Sequence, residues 1–159
     1  AIIPGAAAGA GLSLALACDL RVVAADAKLT MAFSKIGASG DYGGSYFLPR
    51  LVGAAKAREL YFTSDVISGQ EAFELGLVNH VYPAAEFAAR SRAFALKLAG
   101  LATAAIGYMK RNLNAADEAS LSQVLDLEAE HMVRTMMTED HANAARAFVE
   151  KRPPQFSGR

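Results

Sequence analysis

The 159-residue chain contains one cysteine, no tryptophan and no excess of either charge. Cys18 alone cannot form an internal disulfide or a structural zinc site, so we expect a reducing compartment, the cytoplasm. Sixteen Lys and Arg residues balance sixteen Asp and Glu residues, and no surplus of positive charge favours nucleic acid as a partner. The three histidines lack metal-ligand spacing, and we predict no metal site at His80, His131 or His141.

Charge is also missing from the first 18 residues, AIIPGAAAGAGLSLALAC. Their length approaches that of a membrane span, but Ala and Gly dominate, Pro4 interrupts them and no basic flank precedes them. We therefore predict a buried, glycine-rich turn and no membrane association. Because the chain starts on an apolar segment without Met, we also expect an incomplete polypeptide.

Apolar residues make up 53% of the chain, which is ample for a packed core. Strand and helix patterns alternate as far as Pro83, and only helical periodicity follows. We therefore predict an α/β fold in two parts, 1–83 and 84–159. The predicted strands are 1–3, 20–24, 28–32 and 78–82, with a loop at 4–8. The predicted helices are 9–17, 45–52, 54–62, one capped by Ser68 and Glu71 that ends at Gly76, 85–98, 103–116, 120–137 and 139–150.

Helix 9–17 is apolar on every face, so we expect it to be covered on all sides. The glycines before it follow the spacing Gly5-x-x-x-Gly9-x-Gly11. Between a strand and a helix, bare amide N–H groups favour an anion or oxyanion site. Two alternatives remain: glycines needed only for packing, and a dinucleotide fold in which Asp26 meets a ribose.

A second glycine cluster, at 37–44, contains Asp41. Four glycines in eight positions predict a shaped loop, and Tyr42, Tyr46 and Phe47 lie close by in sequence. Apolar surroundings raise the pKa of a carboxyl group, which suits a general base. The alternative is an ordinary turn aspartate that accepts N–H bonds from its own loop. Ser39 misses the G-x-S-x-G pattern, so a serine hydrolase is not favoured.

Three segments together carry a resemblance to a known family: IPGAAAGAGLSLALACDLRVVAADAKLTMAF, GGSYFLPRLVGAAKARELYFTSDVISGQEAFELGLVNHVYP and AFVEKRPPQF. They closely resemble the enoyl-CoA hydratase/isomerase (crotonase) family, and the match corresponds to the C-terminal part of a family subunit. The resemblance implies a crotonase-like (ClpP/crotonase) ββα spiral, incomplete at its N-terminus. A C-terminal helical region would then form a homotrimer or hexamer.

The resemblance also implies an acyl-CoA thioester substrate held in an oxyanion hole of two backbone amides. One amide maps onto Ala10, supported by Gly9 and Gly11, and the other onto the N-terminal part of a family subunit. Hydratases of the family use two glutamates, whose positions here are Ser13 and Phe33. Neither residue is a general acid or base at neutral pH.

Asp41 falls where family isomerases carry a catalytic aspartate. We therefore expect an enoyl-CoA isomerase with Asp41 as its base and no cofactor beyond the coenzyme A of the substrate. Other positions have expected roles in substrate binding: an acyl pocket of Phe33, Tyr42, Tyr46 and Phe47, and contacts to CoA from Phe148 and Lys151.

Several alternatives stay open. The family label favours a hydratase, whereas Asp41 as a nucleophile would resemble the aryl-CoA dehalogenases. A non-catalytic acyl-CoA binding or oligomerisation protein would bind without turnover. Lys151 has a separate alternative, in which it is a solvated lysine at a helix end.

Overall fold

The computed structural model describes residues 1–159 and divides into two compact units, Ala1–Ala93 and Phe94–Arg159. Six short strands lie in the first unit: β1 Ile2–Ile3, β2 Ala7–Ala8, β3 Val22–Ala24, β4 Lys28–Thr30, β5 Ile67–Ser68 and β6 His80–Tyr82. Eight α-helices accompany them: α1 Ala10–Leu16, α2 Gly44–Val52, α3 Ala54–Thr63, α4 Gly69–Glu74, α5 Ala84–Ala99, α6 Thr103–Ala116, α7 Leu121–Met136 and α8 Glu139–Val149. The division into units falls within α5.

The strands of the first unit form two three-stranded sheets, in the orders β1-β3-β6 and β2-β4-β5. The first sheet is parallel throughout, and in the second β2 runs parallel to β4 while β5 is antiparallel. The chain therefore places β1 and then β2 in different sheets, continues into α1, and repeats the step with β3 and β4. This repeat is the ββα spiral, and the predicted crotonase-like fold is confirmed.

The core of the first unit lies around the two sheets, where Val23, Leu29 and Leu77 are fully buried. Strands β3, β4 and β6 and helices α2 and α3 occur where the sequence predicts them, to within a few residues at their ends. Gly53, at φ 80°, separates α2 from α3. The predicted capping box is also present, because Ser68 and Glu71 satisfy each other's backbone N–H groups at the start of α4.

Three details differ from the sequence predictions. The predicted loop 4–8 contains β2, a two-alanine strand that exists because it pairs with β4 rather than through its own propensity. Strand β5 was missed because Ser68 also begins α4. Helix α1 is not covered on all sides, since it packs against β2 and α2 and leaves Leu14 53% exposed.

A buried arginine joins the end of α1 to the segment before β6. The Arg21 guanidinium donates to the carbonyl oxygens of Leu77 at 2.7 Å, Cys18 at 2.5 Å and Leu16 at 3.4 Å. Burial lowers the pKa of Arg21, while Cys18 and Asp19 act in the opposite direction. The carbonyl groups replace the water that the guanidinium loses on burial.

The second unit contains no strand, as predicted. Ser120 and Gln123 form a capping box at the start of α7, and Thr138 caps α8. The C-terminal tail folds back onto the first turn of α8, where the buried Asp140 carboxylate accepts hydrogen bonds from Ser157 and Gly158. No helix of the chain combines the length and the apolar character needed to cross a membrane.

Candidate active site

The N-terminus of α1 presents free amide groups. Gly9 precedes the helix at φ 49° and ψ −120°, a conformation that only glycine adopts readily, and its N–H donates to the Thr30 carbonyl at 3.0 Å. The amides of Ala10, Gly11 and Leu12 have no acceptor in the protein, and no side chain caps the helix. These N–H groups are therefore available to a ligand oxygen.

Asp41 begins a tight turn within the glycine loop. Its carbonyl oxygen accepts a hydrogen bond from Gly44 N–H at 3.1 Å, and the two residues between, Tyr42 at φ 48° and Gly43 at φ 75°, both have positive φ. This is the pattern of a type I′ turn. The Asp41 carboxylate is exposed and makes no hydrogen bond or ion pair, so it does not cap its own loop. It is free to accept a proton from a ligand.

Two buried hydroxyl groups meet beneath this turn. A Cβ atom on Gly44 would lie 2.4 Å from Tyr61 Oη and 2.5 Å from Ser13 Oγ, so position 44 has no room for a side chain. A Cβ on Gly40 would lie 3.2 Å from Tyr61 Cε1 and 3.4 Å from its Oη. The Tyr61 hydroxyl therefore lies against both glycines that flank the Asp41 turn.

Neither hydroxyl has a hydrogen-bond partner within normal geometry, although both oxygen atoms are buried. Burial raises the pKa of Tyr61, the nearby Ser13 hydroxyl partly opposes this, and the Asp41 carboxylate raises the pKa further. The phenol therefore stays protonated to more alkaline pH than an exposed tyrosine. Leaving a buried polar group unpaired costs about 1–3 kcal/mol, so each hydroxyl requires an explanation.

The structure brings some of the predicted substrate-binding residues together and leaves others apart. Phe33 is 6% exposed, and its ring stacks on that of Tyr61 with centroids 6.1 Å apart. Tyr42 and Tyr46 are 60% and 43% exposed, and Arg50 holds the Tyr46 ring at the surface by a cation–π contact of 3.5 Å. These two tyrosines do not enclose Asp41, so the expected apolar surroundings are not formed by them.

Phe148 and Lys151 lie in the second unit, at the end of α8. Lys151 N–H donates to the Phe148 carbonyl and Arg152 N–H to that of Ala147, which is a Schellman arrangement. It places Lys151 at φ 54°, where glycine is usual. The Phe148 side chain is exposed, and the Lys151 side chain forms no ion pair.

A groove of about 360 Å³ runs beside the glycine loop, between that loop and helices α2 and α3. It is lined partly by Ser39, Ser45, Arg58 and Tyr61. Tyr61 therefore borders both the groove and the Asp41 turn, and the sequence predictions missed it. The sequence around Tyr61 is that of an ordinary helix and does not mark the residue as part of a site. Only the folded chain places Tyr61 under Gly40 and Gly44. No group of three or more His, Cys, Asp or Glu side chains could hold a metal ion.

Comparison with known proteins gives consistent matches. A family model described as enoyl-CoA hydratase/isomerase matches residues 1–159. The 1,2-epoxyphenylacetyl-CoA isomerase of Escherichia coli (strain K12) is 36% identical over 157 residues, covering 99% of this chain and 60% of that protein. The mitochondrial methylglutaconyl-CoA hydratase of Rattus norvegicus is 38% identical over 162 residues, covering 99% of this chain and 51% of that protein.

Among solved structures, an enoyl-CoA hydratase from Polaromonas sp. JS666 superposes with a TM-score of 0.89 and 40% sequence identity. The match covers 96% of this chain and 60% of that one. The chain thus spans about half to three-fifths of the length of these relatives.

Proposed function

The chain belongs to the enoyl-CoA hydratase/isomerase family, and we propose that it moves the double bond of an enoyl-CoA, with Asp41 as the base that transfers the proton. The observation that carries this proposal is the free Asp41 carboxylate on a tight turn. Relatives are named both isomerase and hydratase, so the side chains of this chain decide which activity is favoured.

The positions that correspond to the hydratase glutamates favour isomerisation. Ser13 is 0% exposed and Phe33 is buried against Tyr61. Neither side chain can activate or protonate water at neutral pH. Asp41 alone suffices for an isomerase, because a single carboxylate can remove a proton and return it at another carbon.

The proposed reaction starts from a 3-enoyl-CoA. Asp41 removes a proton from C2, and the electron pair of that C–H bond moves into the carbonyl group to give a dienolate. The Ala10 N–H stabilises the developing negative charge on the thioester oxygen, and the family resemblance assigns a second donor to the N-terminal part of a family subunit. The protonated Asp41 then returns the proton to C4, which leaves the double bond between C2 and C3. Loss of one oxyanion donor typically costs about 10²–10³ in rate.

The second unit supplies the proposed CoA contacts and assembly surface. Lys151, which has no ion-pair partner, would pair with a CoA phosphate, and the exposed Phe148 ring would cover part of the nucleotide. Helix α7 exposes apolar side chains that suit a trimer or hexamer: Leu121, Leu125, Met132, Val133 and Met136. Native mass spectrometry would test this assembly directly.

The test of the function compares the unmodified chain with Asp41→Asn. Trans-3-hexenoyl-CoA is supplied, and the conjugated 2-enoyl product is followed by ultraviolet absorbance. We expect the substitution to lower kcat by about 10²–10⁴, the usual contribution of a general base. Asp26→Asn is the matched control, because Asp26 is an exposed aspartate on the turn between β3 and β4.

Three outcomes would contradict the proposal. Hydration of crotonyl-CoA without isomerisation would identify a hydratase. Binding of trans-3-hexenoyl-CoA without any turnover, unchanged in Asp41→Asn, would identify a non-catalytic acyl-CoA protein. Equal activity of Asp41→Asn and the unmodified chain would show that another group is the base.

A further inference from the structure

Two buried hydroxyl groups connect the two halves of the candidate site. Ser13 lies on α1, three residues after Ala10, so the two residues are neighbours on one side of that helix. Tyr61 lies on α3, and its hydroxyl contacts the glycines on both sides of Asp41. The two oxygens meet at Gly44, where each lies within 2.5 Å of the position that a Cβ would occupy.

Their lack of partners is unusual in this chain. Elsewhere in the first unit a partly buried pair of hydroxyls is satisfied, because those of Ser34 and Ser64 are 2.6 Å apart. The oxygens of Ser13 and Tyr61 are also neighbours, and the Ser13 hydroxyl already acts to lower the pKa of Tyr61, but the two form no hydrogen bond of normal geometry. Phenylalanine and alanine would fill these positions without an unpaired polar atom. A shift of α1 relative to α3 that improved this geometry would let the two oxygens form a hydrogen bond.

We propose that Ser13 and Tyr61 are positioning residues for Asp41: when an acyl-CoA binds, the Tyr61 hydroxyl donates a hydrogen bond to Ser13 Oγ. This bond joins α1, which carries the Ala10 amide, to Tyr61 on α3, whose hydroxyl packs against the glycines on both sides of Asp41. The inference rests on the proposed function, because a thioester that contacts both groups supplies the movement. The raised pKa of Tyr61 keeps the phenol protonated and therefore able to donate.

The test uses Tyr61→Phe, Ser13→Ala and the double variant in the full 159-residue chain. Because misplacement of a catalytic group by about 1 Å costs up to 10²-fold, we expect each single variant to lower kcat by roughly 10- to 100-fold. The double variant should lose no more than the worse single variant, since both remove the same hydrogen bond. KM should change less than kcat.

Thermal stability separates this role from a structural one. Tyr61→Phe and Ser13→Ala each remove an unpaired buried group, so the melting temperature should stay the same or rise while kcat falls. Ser34→Ala is the matched control. It breaks the satisfied pair with Ser64, so it should lower the melting temperature and leave kcat unchanged.

Hydrogen exchange gives a readout that does not need turnover. Saturating hexanoyl-CoA should slow exchange of the amides of residues 40–44 in the unmodified chain, and slow it less in Tyr61→Phe. If this protection occurs and is weaker in Tyr61→Phe but no isomerisation is found, the proposed function fails while the ligand-induced hydrogen bond between Tyr61 and Ser13 stands. If isomerisation occurs and both variants keep full kcat and full protection, the positioning role is wrong and the function stands. If hexanoyl-CoA protects nothing in the unmodified chain, the positioning role is wrong, and the isomerisation assay alone decides the function.

Discussion

The two units of the chain use their apolar residues in opposite ways. In Ala1–Ala93 apolar side chains from both sheets and the helices are buried, whereas Ala147 is the sole buried apolar side chain of Phe94–Arg159. Thirteen of the twenty-one exposed large apolar residues lie in the second unit, although it is the shorter one. The first unit therefore has a core of its own, and the second presents apolar helix faces to its surroundings.

The difference shows that a chain segment can form amphipathic helices without burying their apolar faces in a core. The second unit is held by helix caps, by hydrogen bonds from the C-terminal tail to Asp140, and by contacts of His131 on α7 with Tyr108 and Asn112 on α6. The first unit is held by apolar side chains brought together from distant parts of the chain. Its stability should depend on side-chain volume, and that of the second unit on caps and charges.

The largest effect is expected from Leu29→Ala. Leu29 is fully buried in β4, so the substitution should lower the free energy of unfolding by about 2–5 kcal/mol. The matched change in the second unit, Leu125→Ala, removes a side chain that is 53% exposed and should cost at most about 0.5 kcal/mol. Urea unfolding of dilute protein, followed by circular dichroism, measures both. Equal losses would show that the α7 face is packed in solution.

The second largest effect is expected from Asp140→Asn. The carboxylate accepts from Ser157 N–H at 2.7 Å and from Gly158 N–H at 2.9 Å, and an amide group would face one of these donors with a donor of its own. Hydrogen bonds to a charged group contribute about 1.5–3 kcal/mol, so the tail should detach and the melting temperature should fall.

Limited proteolysis of the last seven residues would detect the detached tail. Glu139→Gln is the control, because Glu139 is an exposed acidic residue in the same helical turn. A tail that stays equally protected in Asp140→Asn would show that the polar contacts do not hold it.

A smaller effect is expected at the two capping boxes, one in each unit. Ser68 Oγ accepts from Glu71 N–H at 3.1 Å, whereas Ser120 Oγ accepts from Gln123 N–H at 3.4 Å. Ser68→Ala should cost about 1 kcal/mol of global stability, and Ser120→Ala less. Hydrogen exchange should show faster exchange confined to the start of α7 in Ser120→Ala. A global effect of that variant would mean that α7 and the core unfold together.

The elements that could be predicted are those with local signals. Helices α5 to α8 follow from periodicity and caps, and the loop at 37–44 follows from its glycines. Strands β2 and β5 could not be predicted, because two residues have no periodicity and pair only after the spiral has formed. Asp41 is predicted as the base from its loop and from the family resemblance, and this role stays a prediction. The contact of Tyr61 with Gly40 and Gly44 joins segments about twenty residues apart and has no signature in sequence.

The smallest effect is a difference in pH dependence between the two capping boxes. The Ser68 backbone N–H, followed by its hydroxyl, lowers the pKa of Glu71 below the ordinary value of 4.5. Near pH 4.5 the unfolded chain therefore binds more protons at Glu71 than the folded chain does. The contribution of the Glu71 carboxylate to the free energy of unfolding is present above that pH and is lost as the pH falls. Gln123 carries no charge, so the box at α7 has no such dependence. Urea midpoints measured from neutral pH to below 4.5 should fall less steeply in Glu71→Gln than in the unmodified chain, whereas Gln123→Ala should keep the original slope. Parallel profiles for all three proteins would mean that the Glu71 carboxylate is no better stabilised in the folded chain than in the unfolded one.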